Sequence, residues 1–292
     1  MSVDYADSRP APDARTGDAS GASRASLVAG STHYHWANAL WCARLCDLSG
    51  TARDSGQLLG ALQRLDGNVL AVQRGEPVAG ARAVLVEHAH WLVLVFVDEA
   101  APTRWFAPAC MERTAVPMGG VHHGFLHVLA RLWAEIERLL AEAREAAGGV
   151  HRPLLFTGHG AGGALATLAA ARFLDADEPF QNLYTFGAPR CGDRSFARAF
   201  DSEAGARTFR FHGEGDTVPR APPRALQYRH VGQLVYAGYD GTLRHDPSPW
   251  FRELDTDRDA LARLLEAGVP PEHQASRYLR SITGWGEHLP LP

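Results

Sequence analysis

Apolar and polar positions change their spacing several times along the chain, and each change predicts an element. Over 35–48, Ala37, Leu40, Trp41, Leu45 and Leu48 fall mostly on one side of a 3.6-residue spiral, which predicts a helix. A strand is predicted over 69–72, and a pair over 83–86 and 91–97 flanks a turn at 88–90. The run from Trp91 to Val97 has no polar position, as expected of a strand covered on both faces. The stretch 98–120 carries three prolines and reads as an irregular loop. Beyond it, 125–147 predicts a long amphipathic helix ending at Gly148. Strands over 153–157, 183–186, 208–211 and 231–236 then alternate with helices over 161–173 and 195–200. Two more helices are expected over 258–267 and 274–282. Alternating strands and helices predict an α/β chain whose mostly parallel sheet has helices on both faces.

Composition narrows the picture. The 292 residues suffice for one large core, with no internal repeat. We expect a disordered polar tail over 1–30 and a single domain over 31–292. Net charge is −4 and no arginine stripe stands out, so nucleic acid is not an expected partner. All 29 basic residues are arginine, which removes Schiff-base and P-loop lysines and fits a GC-rich, bacterial genome. Four scattered cysteines do not make a disulfide framework; Cys42 and Cys46 read as small buried side chains on one helix. No apolar segment resembles a secretion signal or a membrane span, so the expected location is cytoplasmic, with signal-less export left open.

The segment from Leu154 to Ala166 carries the candidate chemistry. An apolar strand meets the turn Gly158-His159-Gly160-Ala161-Gly162, which opens into an alanine-rich helix. That is the setting of a nucleophile elbow, in which a tight turn presents one side chain at a helix N-terminus. Here the central position is Gly160.

The segment resembles the elbow of the class 3 (fungal-type) lipases, T-G-H-S-L-G-G-A-L-A. It matches at every position except Gly160, where the serine belongs, and Ala161, where leucine is usual. Val121-His122-His123-Gly124-Phe125 resembles V-H-x-G-F, and Thr185 to Asp193 resembles T-F-G-x-P-R-V-G-D. Asp216 to Pro223 resembles D-x-V-P-R-x-P-P, and Tyr228 to Gly232 resembles Y-x-H-V-G. Glu272-His273 with Tyr278 resembles D-H-x-x-x-x-Y.

The resemblance implies an α/β-hydrolase fold with Asp216 as triad acid and His273 as triad base, and His245 is the rival histidine. It implies an oxyanion hole from the backbone N–H of Ala161 and a residue at the end of the 91–97 strand. There the family's R-G-T aligns with Val97-Asp98-Glu99, so Glu99 stands at an eroded donor position and its carboxylate opposes an oxyanion. Trp105 and Phe106 are candidate lid or acyl contacts, with core filling as the alternative. His122 is expected to brace the loop beneath the site. His123 and His127 share a helix face but lack a third metal ligand, so neither metal nor cofactor is expected.

Three functions follow as expectations. One is a pseudo-lipase that binds a lipid or acyl-ester ligand, or a protein partner, without hydrolysis. Another is a carboxylic-ester hydrolase whose serine at position 160 was replaced deliberately. The third is a non-serine chemistry in which Asp216 and His273 activate a water.

Overall fold

The structure, a computed structural model, describes residues 26–99, 102–148, 150–245 and 260–287. Most of the expected tail, 1–25, lies outside them, as do 258–259 of the expected penultimate helix. The last residues of that tail pack on the domain. Leu27 is buried, and Val28 exchanges two hydrogen bonds with the Asn38 amide, at 2.7 and 3.0 Å.

The helices are α1 (Trp36–Thr51), α2 (Ser55–Leu65), α3 (His123–Ala146), α4 (Ala161–Asp175), α5 (Arg194–Ala204), α6 (Ala260–Ala267) and α7 (Ala275–Glu287). The strands begin with β1 (Val69–Arg74), β2 (Ala81–His88), β3 (Leu92–Asp98), β4 (Arg113–Val116), β5 (Gly119–His122) and β6 (Leu154–His159). They continue with β7 (Asn182–Phe186), β8 (Gly192–Asp193), β9 (Thr208–Gly213), β10 (Tyr228–Arg229), β11 (Gln233–Ala237) and β12 (Leu243–His245).

Eight strands form the main sheet in the order β1-β2-β3-β6-β7-β9-β11-β12. From β3 through β11 all neighbours are parallel, and antiparallel strands finish both edges. The apolar run of β3 splits by alternation. Leu92, Leu94 and Phe96 join the core under α3 and α4, while Val93, Val95 and Val97 join the core under α1, α2 and α7. Both faces are therefore dry, and the site lies at the carboxyl ends of the parallel strands, where an α/β sheet opens its crevice.

Several elements depart from expectation, among them the strands β8, β10 and β12. The supposed loop 98–120 contains the β4–β5 hairpin, which joins a second, four-stranded sheet ordered β10-β8-β5-β4. The helix α2 was also unforeseen. Its N-cap Asp54 accepts from Gln57 N–H at 2.8 Å, while the Gln57 side chain accepts from Arg53 N–H, also at 2.8 Å. The aspartate with a glutamine three residues on is a capping pattern that could have marked this start.

Candidate active site

β6 delivers the chain to the turn and α4 carries it away. Gly160 stands between them at φ 55°, ψ −130°, a left-handed-side conformation that L side chains rarely adopt. The turn is tight because backbones approach closely. A Cβ on Gly158 would lie 2.3 Å from Gly162 carbonyl atoms, and one on Gly162 would lie 2.1 Å from Phe96 O. The elbow keeps this unusual backbone although no side chain is presented on it.

Asp216 follows β9 and is fully buried. Its Oδ2 accepts from His273 Nδ1 at 2.9 Å and from the Tyr278 hydroxyl at 2.6 Å, and its Oδ1 accepts from Val218 N–H at 3.0 Å. Burial alone would raise this carboxyl's pKa. The His273 and Tyr278 partners more than offset that and hold it below the usual range. Tyr278 also accepts from Gly213 N–H at 3.0 Å, so it ties the end of β9 to α7. His273 lies between α6 and α7 with its side chain only 5% exposed. The rival His245 is exposed on the edge strand β12 and packs edge-on against Tyr34 at 5.0 Å.

His273 meets Gly160 directly. A Cβ at position 160 would stand 2.7 Å from His273 Nε2 and 3.2 Å from Cε1. The place of a nucleophile's side chain is thus partly taken by the imidazole. His159 packs against that ring at a tilt of 30°, with centroids 4.4 Å apart. Burial, followed by the His273 neighbour, holds His159 down to about 3, so it stays neutral, and its Nε2 is buried without a partner. Sequence reasoning placed His159 in the elbow but gave it no contact with His273. A cavity of about 330 Å³ opens beside His159, between Cys46 and Thr51 of α1, Asp98 of β3 and Gln274 before α7.

The oxyanion side differs from expectation in its charges. The Ala161 backbone N–H sits at the first position of α4, as the elbow requires. Asp98 is no free carboxylate: its side chain is 4% exposed and accepts from Arg104 at 2.8 Å and from Trp105 Nε1 at 2.6 Å. Glu99 pairs with Arg82 at 3.2 Å and Arg74 at 3.6 Å. The Glu99 backbone N–H donates to Gly80 O at 2.9 Å, so that donor is already engaged.

Trp105 and Phe106 require a correction. They are 3% and 1% exposed and belong to the core beneath α3, so neither serves as a lid over the cleft. The reason is the buried partner that Asp98 supplies to the indole N–H, together with Phe125, whose ring centroid is 4.7 Å away. His122 fastens the same segment. Its Nδ1 accepts from Phe125 N–H at 3.3 Å, so Nε2 carries the proton and donates to Trp105 O at 3.0 Å. Burial lowers the His122 pKa to about 4 and keeps this tautomer neutral. Trp105→Ala is accordingly expected to cost about 3–5 kcal/mol, read as a lower urea midpoint. A loss below about 1 kcal/mol would return Trp105 to the surface role.

His123 and His127 lie with ring centroids 6.1 Å apart, and His123 Nδ1 bonds the Thr114 hydroxyl. Among the described residues no group of three His, Cys, Asp or Glu could hold a metal ion. Nor is any helix among them long and apolar enough to cross a membrane.

A parallel sheet, a strand–turn–helix elbow and an acid–histidine pair on later loops define an α/β-hydrolase fold. Residues 95–226, a little under half of the chain, match the family model for lipase (class 3). It is 42% identical over 114 residues to secreted mono- and diacylglycerol lipase 1 of Fusarium solani, covering 38% of this chain and 32% of the relative. It is 30% identical over 149 residues to a lipase of Rhizomucor miehei, covering 49% of this chain and 40% of the relative. The chain thus spans about a third of the length of the first of these relatives and two fifths of the second.

Among solved structures, the Rhizomucor miehei lipase–propeptide complex superposes with a TM-score of 0.58 at 18% identity, over 83% of this chain and 77% of that one. A triacylglycerol lipase described as having a serine-protease triad gives a TM-score of 0.56 at 22% identity, over 68% and 79%. Two expectations change. Relatives named as secreted lipases overturn the cytoplasmic location, and the named relatives are fungal, which gives the bacterial source no support.

Proposed function

We propose that this lipase-fold protein binds an acyl or lipid ligand at the cleft over Gly160 and forms no acyl-enzyme. The observation that carries this reading is the elbow. Gly160 holds the strained nucleophile backbone without a nucleophile, and His273 Nε2 lies 2.7 Å from where its Cβ would stand. An acyl-enzyme needs a tethered hydroxyl for the histidine base to activate, and Gly160 offers none. The relatives' names as mono- and diacylglycerol lipases support a lipid-related ligand, and their secretion supports export of this protein.

The test is turnover of p-nitrophenyl butyrate and a medium-chain triglyceride, with His273→Ala as reference, alongside titration with alkyl esters. Turnover equal to the reference, with saturable ester binding, is the expected result. Turnover well above the reference would overturn the reading in favour of a water activated by Asp216 and His273. Absence of any saturable acyl binding in folded protein would favour a protein partner.

A second reading has its own support. The bond from Asp216 to His273 is intact at 2.9 Å, and the relatives are named lipases, as expected of an ester hydrolase altered only at position 160. A serine codon there in the native gene would establish it.

A further inference from the structure

No arginine stripe is visible along the chain, yet folding gathers four arginines that are far apart in sequence. They stand on or beside the second sheet: Arg113 on β4, Arg194 directly after β8, Arg229 on β10 and Arg224 in the turn before it. Strand pairing sets Tyr228 opposite Asp193 and Arg229 opposite Gly192, which brings Arg194 beside β10. Arg113 reaches the same turn, where its Nη1 donates to Leu226 O at 3.5 Å. Arg229 Nη1 donates to Arg224 O at 3.2 Å and to Tyr228 O at 2.7 Å. Among the described residues, none of the four has a carboxylate partner. Asp193 holds its carboxylate on the Phe196 and Gly120 N–H groups, at 2.9 and 3.0 Å. Burial, followed by the Arg224 and Arg194 guanidinium groups, keeps the Arg229 pKa below the usual arginine value. Like charges thus face one another on a chain whose net charge is −4.

An apolar side chain stands among them. The turn 224–226 is exposed throughout, with Leu226 at 45%. Its shape is fixed, because Leu226 N–H donates to Pro223 O at 3.0 Å and Gln227 N–H to Arg224 O at 2.9 Å. A lone exposed leucine is ordinary. One set among unpaired guanidinium groups fits a partner that offers anions at its surface and hydrocarbon beneath.

We propose that this turn docks the protein on a membrane surface bearing anionic phospholipid. The planar guanidinium groups suit the oxygens of headgroup phosphates, and the donors of Arg113 and Arg229 that hold no carbonyl remain free for them. Leu226 enters the headgroup layer and leaves water. A nucleic acid or free phosphate would satisfy the arginines and leave Leu226 in water. The residues belong to the second sheet and its turns rather than to the elbow, so the inference does not rest on the acyl-ligand reading.

The test is co-sedimentation of the full chain with phosphatidylcholine vesicles and with mixed phosphatidylcholine–phosphatidylserine vesicles. The mixed vesicles are expected to bind at least about tenfold tighter, from several arginines near an anionic surface. That advantage should fade as salt is raised. Arg113→Gln and Arg224→Gln should each weaken binding to the mixed vesicles on the order of fivefold. Leu226→Ser should weaken it while leaving the salt dependence unchanged. All three positions are exposed, and far-UV circular dichroism confirms that the variants fold. Equal binding to both kinds of vesicle overturns the inference, as does undiminished binding in the folded Arg113→Gln, Arg224→Gln double variant. Binding of a short DNA duplex or of inorganic phosphate as tight as that of the mixed vesicles also overturns it and assigns the cluster to a soluble anion. Titration with alkyl esters reports separately on the cleft, so either reading can fail without the other.

Discussion

Gly160→Ser is expected to yield an esterase slower than a complete class 3 lipase site by at least about 10²–10³ in kcat, the worth of one missing oxyanion donor. Two features of the structure set that limit. The new Cβ would stand 2.7 Å from His273 Nε2, and the ring cannot simply swing away. Asp216 holds it at one edge and His159 covers one face. The oxyanion side has its own deficit, because the Glu99 N–H is committed to Gly80 O and its carboxylate to Arg82 and Arg74. Adding Glu99→Thr should raise the rate by supplying a hydroxyl donor. Asp98 should stay, since its carboxylate anchors Arg104 and Trp105. Burst kinetics and fluorophosphonate labelling measure both steps. Full lipase-like activity from the single change would defeat the non-covalent reading and support deliberate replacement.

Much of this site was legible because its chemistry is written in short, contiguous patterns. An apolar strand, a glycine turn and an alanine-rich helix have one physical reading, and Gly158, Gly160 and Gly162 occupy the positions where backbones approach or φ is positive. The β3 run was legible for a similar reason, since only a strand with two dry faces tolerates no polar position. What escaped depends on residues far apart in the chain. Trp105 looked like a cover because an aromatic in a proline-rich loop is ambiguous until the partner of its indole N–H is known, and that partner is Asp98. The β4–β5 hairpin escaped because half of its new sheet consists of the two-residue strands β8 and β10, too short to leave a pattern. The packing of His159 against His273 joins positions 159 and 273, and no local spacing encodes it.

Asp216→Ala is expected to cost about 3–5 kcal/mol of folding stability, the range for removing one partner of a buried pair. Three donors lose their acceptor at once: His273 Nδ1, the Tyr278 hydroxyl and Val218 N–H. Each is buried, and water has no ready path to replace the carboxylate. The loss should also depend on pH in a definite direction. The folded Asp216 carboxyl titrates below its ordinary value, so its contribution is fully present above the unfolded pKa of about 4 and fades as pH falls through the folded value. The stability gap between the wild type and Asp216→Asn should therefore be widest near neutrality and close under acid. Asparagine keeps the volume and one carbonyl acceptor, so its cost should be smaller than that of alanine. Urea unfolding at a series of pH values measures both differences. A gap that stays constant from neutral to strongly acidic solution would show that shape, rather than the charge on Asp216, holds His273 and Tyr278 in place.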